Sequence, residues 1–270
     1  MRRAPPPVLR PFVHALWAID GTGPPSAAAR ERVLPTGAMH LALRVSDAPF
    51  RFFDDAGAAG LESHAVVGGA RAVPYLKEIA TPAVSVGAHL RPGASALLFG
   101  APAVELAGRH TPLAALWGRV EAETRERLME AGSPAARLDV LEETLAARLP
   151  RARALHPAVA LALTRFDGAV PVGDVVRETG YSHRRFIDLF RHAVGLPPKL
   201  YCRLLRFQHA FVRLADDPPP AAARVAFELG YSDQAHLIRD FRELAGITPG
   251  AYQGLAGLRP GHAPAQRAEP

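Results

Sequence analysis

The sequence predicts an α+β chain: a first half of short strands closing a small β-barrel or sandwich, a helical extension, and an all-helical second half. Two observations carry this. From about residue 30 to 107, short aliphatic and β-branched segments are punctuated by Gly and Pro, whereas from 111 onward the apolar residues recur at helical spacing. A third observation is internal repetition. Gly180-Tyr181-Ser182, Phe190-Arg191, Gly195, Pro198 and Tyr201 return as Gly230-Tyr231-Ser232, Phe241-Arg242, Gly246, Pro249 and Tyr252. A glycine closing one short helix, a serine able to N-cap the next, and an apolar stripe ending in Phe-Arg compose a helix-turn-helix, and here it occurs twice.

Strands are expected at 39–45, 50–53, 64–67, 83–86 and 96–99, because each is apolar and flanked by a turn signal. The turns are Pro35-Thr36-Gly37, Asp54-Asp55-Ala56-Gly57, Gly68-Gly69 and Arg91-Pro92-Gly93. Thr111 is a candidate N-cap for a helix over 113–120. Leu138, Leu141, Leu145 and Leu149 set a helix over 135–149. Pro150, Arg151, Arg153 and Pro157 read as a linker, which places a β-rich sensor or dimerisation domain at 1–150 and a helical domain at 157–252. Helices follow near 157–166, 172–179, 182–193, 198–214, 222–229 and 233–245, and 253–270, rich in Pro, Gly and Ala, is expected to be disordered.

In the first repeat, Phe186, Leu189 and Phe190 face inward and His183, Arg184, Arg185, Ile187 and Asp188 face out. In the second, Leu237, Phe241 and Leu244 face inward and Asp233, Gln234, Ala235, His236, Arg239 and Arg242 face out. Gln reads adenine and Arg reads guanine through paired hydrogen bonds, so these outward faces have the chemistry to read a major groove of double-stranded DNA. The helix over 198–214 joins the repeats; 17 residues at about 1.5 Å each span roughly 25 Å, setting the two reading helices about one DNA turn apart.

Residues 157–252 resemble the DNA-binding domain of the AraC/XylS family of bacterial transcription regulators. The resemblance rests on Val225-Ala226, Gly230 to Leu237, Arg239, Phe241-Arg242, Gly246, Thr248-Pro249 and Tyr252. It implies base-reading positions at Arg184, Ile187 and Asp188 and at Gln234, Ala235, His236 and Arg239. Arg185 and Arg242 stand beside them as further DNA contacts, and Ser182 and Ser232 as capping or phosphate-contacting residues. The first repeat departs from the family pattern at Val176, where a small Ala is usual, at Gly173 inside its first helix, and at the acidic Asp188. A weaker similarity, carried by Arg32 to Gly37, Arg91-Pro92-Gly93, Pro112-Leu113 and Trp117-Gly118, implies that the first half is a cupin-like sensor barrel with a helical extension.

Charge agrees with this division. Residues 1–150 sum to +1 and residues 151–270 to +5, of the total +6. Arg supplies all but two of the basic residues, a habit that looks like the coding of a GC-rich bacterial genome. Lone Cys202 excludes an intramolecular disulfide framework and fits a reducing cytoplasm; the start lacks an apolar signal core, and no run is long enough to span a bilayer, so a cytoplasmic chain with no membrane partner is expected. No nucleophile elbow, phosphate-binding loop or dinucleotide fingerprint is present, so neither catalysis nor a cofactor is indicated. His14, His40, His64, His89 and His110, with Glu62, Glu78 and Glu105, lack the close spacing of a metal site.

The reading is a sequence-specific transcription regulator, ligand-responsive through its first half, with RNA polymerase, a small-molecule effector and a second copy of the chain as further partners. The alternative makes the N-terminal barrel a metal-binding or small-molecule enzyme module fused to a DNA-binding domain. A third possibility is a constitutive DNA-binding protein whose first half is purely structural.

Overall fold

The computed structural model describes residues 1–21, 30–54, 56–79, 83–150, 155–216, 218–254 and 262–264. Two antiparallel sheets build the first half. One holds β1 (Arg2–Arg3), β2 (Val13–Ile19), β9 (Ser85–Leu90), β4 (His40–Arg44), β7 (Ala65–Gly68) and β10 (His110–Pro112), in that order. The other holds β11 (His262–Pro264), β3 (Arg30–Val33), β8 (Tyr75–Glu78), β5 (Phe50–Phe53) and β6 (Ala59–Ser63). Strand β5 alternates as a half-buried strand must: Phe50 and Phe52 turn inward and Arg51 outward. Strands β4, β7 and β9 are buried along almost their whole length, as central strands covered on both faces are. Phe50, Phe52 and Tyr75 of one sheet pack with Ala42 and Val66 of the other, so the sheets face each other across these side chains.

Four of the five expected strands are present. Ala96–Phe99 instead lies in helix α1 (Ser95–Phe99), which ends at a left-handed Gly100 and is pinned by Ser95 Oγ donating to the Ala101 carbonyl at 2.8 Å. An apolar run this short has no period that separates strand from helix. Thr111 is likewise not a cap: it pairs with Val67 inside β10, and α3 (Ala114–Trp117) starts at Leu113 without a side-chain cap. Strands β1, β2, β3, β6, β8 and β10 lie outside the segments named from the sequence. His262–Pro264, within the stretch expected to be disordered, pair with Glu31–Val33. Arg151 and Arg153 of the expected linker, and most of that tail, lie outside the described residues.

Helix α2 (Ala103–Leu106) follows α1, and α4 (Arg119–Glu130) and α5 (Pro134–Arg148) complete the extension. Leu138, Leu141 and Leu145 are fully buried where α5 covers β2 and β9. The second half contains α6 (Pro157–Asp167), α7 (Val172–Thr179), α8 (His183–Val194), α9 (Pro198–Leu214), α10 (Ala222–Glu228), α11 (Gln234–Ala245) and α12 (Pro249–Gln253). Through α11 these match the expected bounds within about two residues. One apolar core runs through both halves, from Leu41 and Leu90 to Phe190, Phe207 and Phe241.

Candidate nucleic-acid interface and cavity

Helices α7 and α8, and again α10 and α11, form the two helix-turn-helix units. Gly180 and Gly230 take φ of +72° and +70°, a left-handed conformation that L side chains rarely tolerate, and so allow the tight turn. Ser182 caps α8, accepting from the Arg185 N–H at 3.4 Å. Ser232 does not cap α11. Asp233 does, accepting from the His236 N–H at 2.6 Å, while the Ser232 hydroxyl contacts the Asp233 carboxylate and His236 Nδ1. An ionised carboxylate both satisfies the free N–H and answers the positive helix end, so it outcompetes its serine neighbour. The amide bond and the charge of Arg239 hold the Asp233 carboxyl below its usual range.

The inward stripe follows the expected pattern. Phe186, Phe190, Leu237 and Phe241 are fully buried and Leu244 nearly so, whereas Leu189 is only half-buried. Arg184, Arg185 and Asp188 on α8, and Gln234, Ala235, Arg239 and Arg242 on α11, are exposed; Ile187 and His236 are half-buried. His236 also packs edge-on against Tyr231, its ring centroid 5.1 Å away.

Many basic side chains nearby are already committed. Arg203 on α9 bonds Asp240 and Glu243 of α11, at 2.8 and 2.5 Å, and locks those two helices together. Arg165 pairs with Glu178, Arg213 and Arg224 pair with Glu228, and Arg206 stacks over the Tyr231 ring. By contrast Arg184, Arg185, Arg191, Lys199 and Arg242 form no ion pair with any described residue and are exposed. These exposed cations therefore sit on α8, on α11 and at the start of α9. Cys202 is half-buried and burial pushes its thiol up to about 11, which keeps it protonated and unreactive.

Between the two sheets lies a cavity of about 530 Å³. Its walls are mainly apolar and ringed, with Trp17, Phe50, Phe52 and Tyr75 among them, and its polar groups are Arg2, Thr36, His40, Arg71, Lys77 and His89. The histidines meet because of register. His40 is opposite His89 on one side and opposite Gly68 on the other, and His110 is opposite Gly68 from the far edge. Gly68 leaves the room: a Cβ there would fall 2.0 Å from the His40 ring. The His40 and His110 rings thus approach to 5.6 Å, and His110 stacks on Phe52 at 3.7 Å. Three of the five candidate histidines are therefore gathered, which their dispersed spacing did not suggest. Among the described residues no group of three or more His, Cys, Asp or Glu side chains is arranged to hold a metal ion.

Burial, then the electrostatic influence of His89, Arg71 and Lys77, lowers His40 from 6.5 to about 3; burial, then the influence of His40, Arg71 and Lys77, lowers His110 as well. His40 is half-buried and lines the cavity. Both rings are neutral in the folded chain, while the unfolded chain protonates them below about pH 6.5. Their stabilising contribution is complete above that pH and is lost as pH falls toward 3, at up to about 1.4 kcal/mol per pH unit for each ring. Urea midpoints measured from about pH 7.5 down to about pH 4.5 are expected to fall steeply, and the His40→Gln/His110→Gln variant to show a shallower slope. Equal slopes would mean the rings titrate normally.

Residues 175–254 match the family model described as a helix-turn-helix domain, and residues 1–112 match a domain of unknown function (DUF6597). No curated protein matches the chain. Solved structures with similar folds include ToxT from Vibrio cholerae in three forms. An apo form from strain SCE256 has 9% identity, covers 94% of this chain and 99% of that one, and gives a TM-score of 0.48. The O395 protein has 10% identity, coverage of 90% and 97%, and a TM-score of 0.46. The wild-type form bound to an unsaturated fatty acid has 8% identity, coverage of 90% and 95%, and a TM-score of 0.46. Likeness at this level leaves the chemistry of the cavity to be read from its own residues. Among the described residues no helix is long and apolar enough to cross a membrane. The chain carries an AraC-type helix-turn-helix DNA-binding domain behind an N-terminal domain of the DUF6597 family.

Proposed function

We propose that this chain is a sequence-specific transcription regulator whose DNA affinity or presentation responds to a small molecule held in the first half. Residues 1–150 act as the sensor and dimerisation domain, and residues 157–252 bind double-stranded DNA. The observation that carries the reading is the pair of helix-turn-helix units with their polar faces exposed and their cations unpaired. Arg184, Ile187 and Asp188 read one groove and Gln234, Ala235, His236 and Arg239 the next. Arg185, Arg242 and the Ser182 and Ser232 hydroxyls meet the backbone. One chain then recognises an asymmetric site, and RNA polymerase and a second copy of the chain are its further partners.

Selection of full-length protein against a randomised duplex library tests this. It is expected to enrich an asymmetric site of two elements about one turn apart. Affinity is expected to fall with salt as roughly five to ten phosphate contacts require. Failure to retain any duplex at low salt would refute the reading.

Responsiveness is supported by the way the cavity wall touches α9. Leu34, Thr36, Ala38 and Met39 line the cavity, and between them the Pro35 carbonyl accepts from Gln208 Nε2 at 2.7 Å. Gly37 backs onto Leu204, where a Cβ would lie 3.3 Å from Leu204 Cδ1. One short segment thus borders both the cavity and the helix that sets the spacing of the reading helices. Gln208→Leu is expected to keep basal DNA affinity within about twofold while weakening the change caused by cellular metabolites, since it removes a coupling contact and no DNA contact. Full response in that variant, measured by reporter expression, would exclude this route.

A further inference from the structure

The polar end of the cavity holds a positive charge that the protein itself does not neutralise. Arg71, between β7 and β8, lines the cavity and is 8% exposed. Its Nη2 donates to His110 Nδ1 at 3.2 Å, its guanidinium lies 4.4 Å from the Tyr75 ring centroid, and its buried Nε has no hydrogen-bond partner. No carboxylate of any described residue pairs with it. Burial pulls the guanidinium below its ordinary value, yet an arginine keeps its proton in proteins, so the charge stays. A buried cation of this kind is costly unless an anion joins it.

The neighbouring groups cannot supply that anion. His40 and His110 are neutral, Tyr75 is pushed up to about 12 by burial and so keeps its proton, and Lys77 is itself a cation, 3.4 Å from Glu31. Trp17 Nε1, on another wall residue, is a second buried donor without a partner. The remaining surface is apolar and planar: Phe50 stacks on Phe52 at 5.9 Å, and Tyr75 meets Phe52 edge-on at 5.9 Å. Of the two arginines that line the cavity, Arg2 is exposed and Arg71 buried, so one buried guanidinium matches one negative charge, and such rings favour a flat body. The volume is that of a small-ligand site.

Resting on the reading of this cavity as an effector site, we propose that it takes a ring-bearing organic monocarboxylate, its carboxylate held by Arg71 and its rings lying among Trp17, Phe50, Phe52 and Tyr75. The bidentate fork of Arg71 sets orientation, and the aromatic walls select the body.

Calorimetric titration of the full chain with biphenyl-4-carboxylate and 3-phenylpropanoate, each against its amide, tests the assignment. The acids are expected to bind roughly 10- to 100-fold more tightly than the amides, the span of one charge-assisted pair. Arg71→Gln is expected to erase that preference and leave the amides' affinity unchanged. Ala42→Trp, which fills the cavity, is expected to abolish binding of both. If Arg71→Gln does not fold, the acid-to-amide ratio of the unmodified protein decides alone. Acid and amide binding equally would overturn the anion assignment and leave the effector cavity standing. Binding of neither series to the unmodified protein would overturn the cavity reading and the assignment with it. Acid preference that survives Arg71→Gln or Ala42→Trp would place the carboxylate elsewhere and also overturn the proposal.

Discussion

Arg239→Ala is expected to weaken binding to the specific DNA site by ~1–3 kcal/mol and to relax preference at one or two adjacent base pairs. Arg239 is exposed on α11, on the side opposite the buried Leu237, Phe241 and Leu244, so its removal leaves the fold untouched. An arginine side chain can donate two parallel hydrogen bonds to guanine, and alanine offers neither. Arg242, nearly one turn further along, is exposed and forms no ion pair with a described residue. Its replacement is expected to weaken specific and non-specific duplexes alike and to lower the salt slope by about one contact. Competition between a selected site and a randomised library separates the two behaviours. Unchanged sequence preference in Arg239→Ala would mean that α11 presents a different face to the groove.

The helix-turn-helix units were legible because their determinants are local. The turn glycines, the buried apolar stripe and the Pro that opens α9 act within a few residues of where they stand, so helix bounds from 157 to 245 are readable almost directly. The cap of α11 was misplaced by one residue because Ser232 and Asp233 are both cap-forming, and only backbone geometry decides between them. The first half was less legible for a physical reason. Ala96–Phe99 carries no distinguishing period, and β3 and β8 are polar enough to resemble loops. The cavity was not legible at all. Its histidines come from β4 and β9, with His110 of β10 stacked behind Phe52, and they meet through sheet register at a glycine whose role is only to be small. Arg71 follows a Gly-Gly turn and reads as an ordinary solvated arginine until the fold encloses it.

Phe241→Ala is expected to destabilise the chain by about 3–5 kcal/mol, the range for removing a fully buried aromatic side chain and leaving a space that neighbours fill only in part. Phe241 is fully buried, its ring 5.0 Å from Phe207 of α9 and 6.2 Å from Tyr252 of α12, so it joins the second reading helix to the connecting helix and to the final turn. The adjacent Asp240, buried and paired with Arg203, depends on the same contact between α9 and α11. Loosening it would let α11 shift relative to α8, so DNA affinity is expected to fall even where the variant remains folded, through lost spacing and without loss of any DNA-contacting group. Phe241→Leu keeps most of the buried volume and is expected to recover most of both losses. Urea unfolding and duplex binding measured on the same three proteins check the link: a stability loss in Phe241→Ala without a loss of affinity in the folded fraction would show that the two reading helices act independently of the packing between α9 and α11.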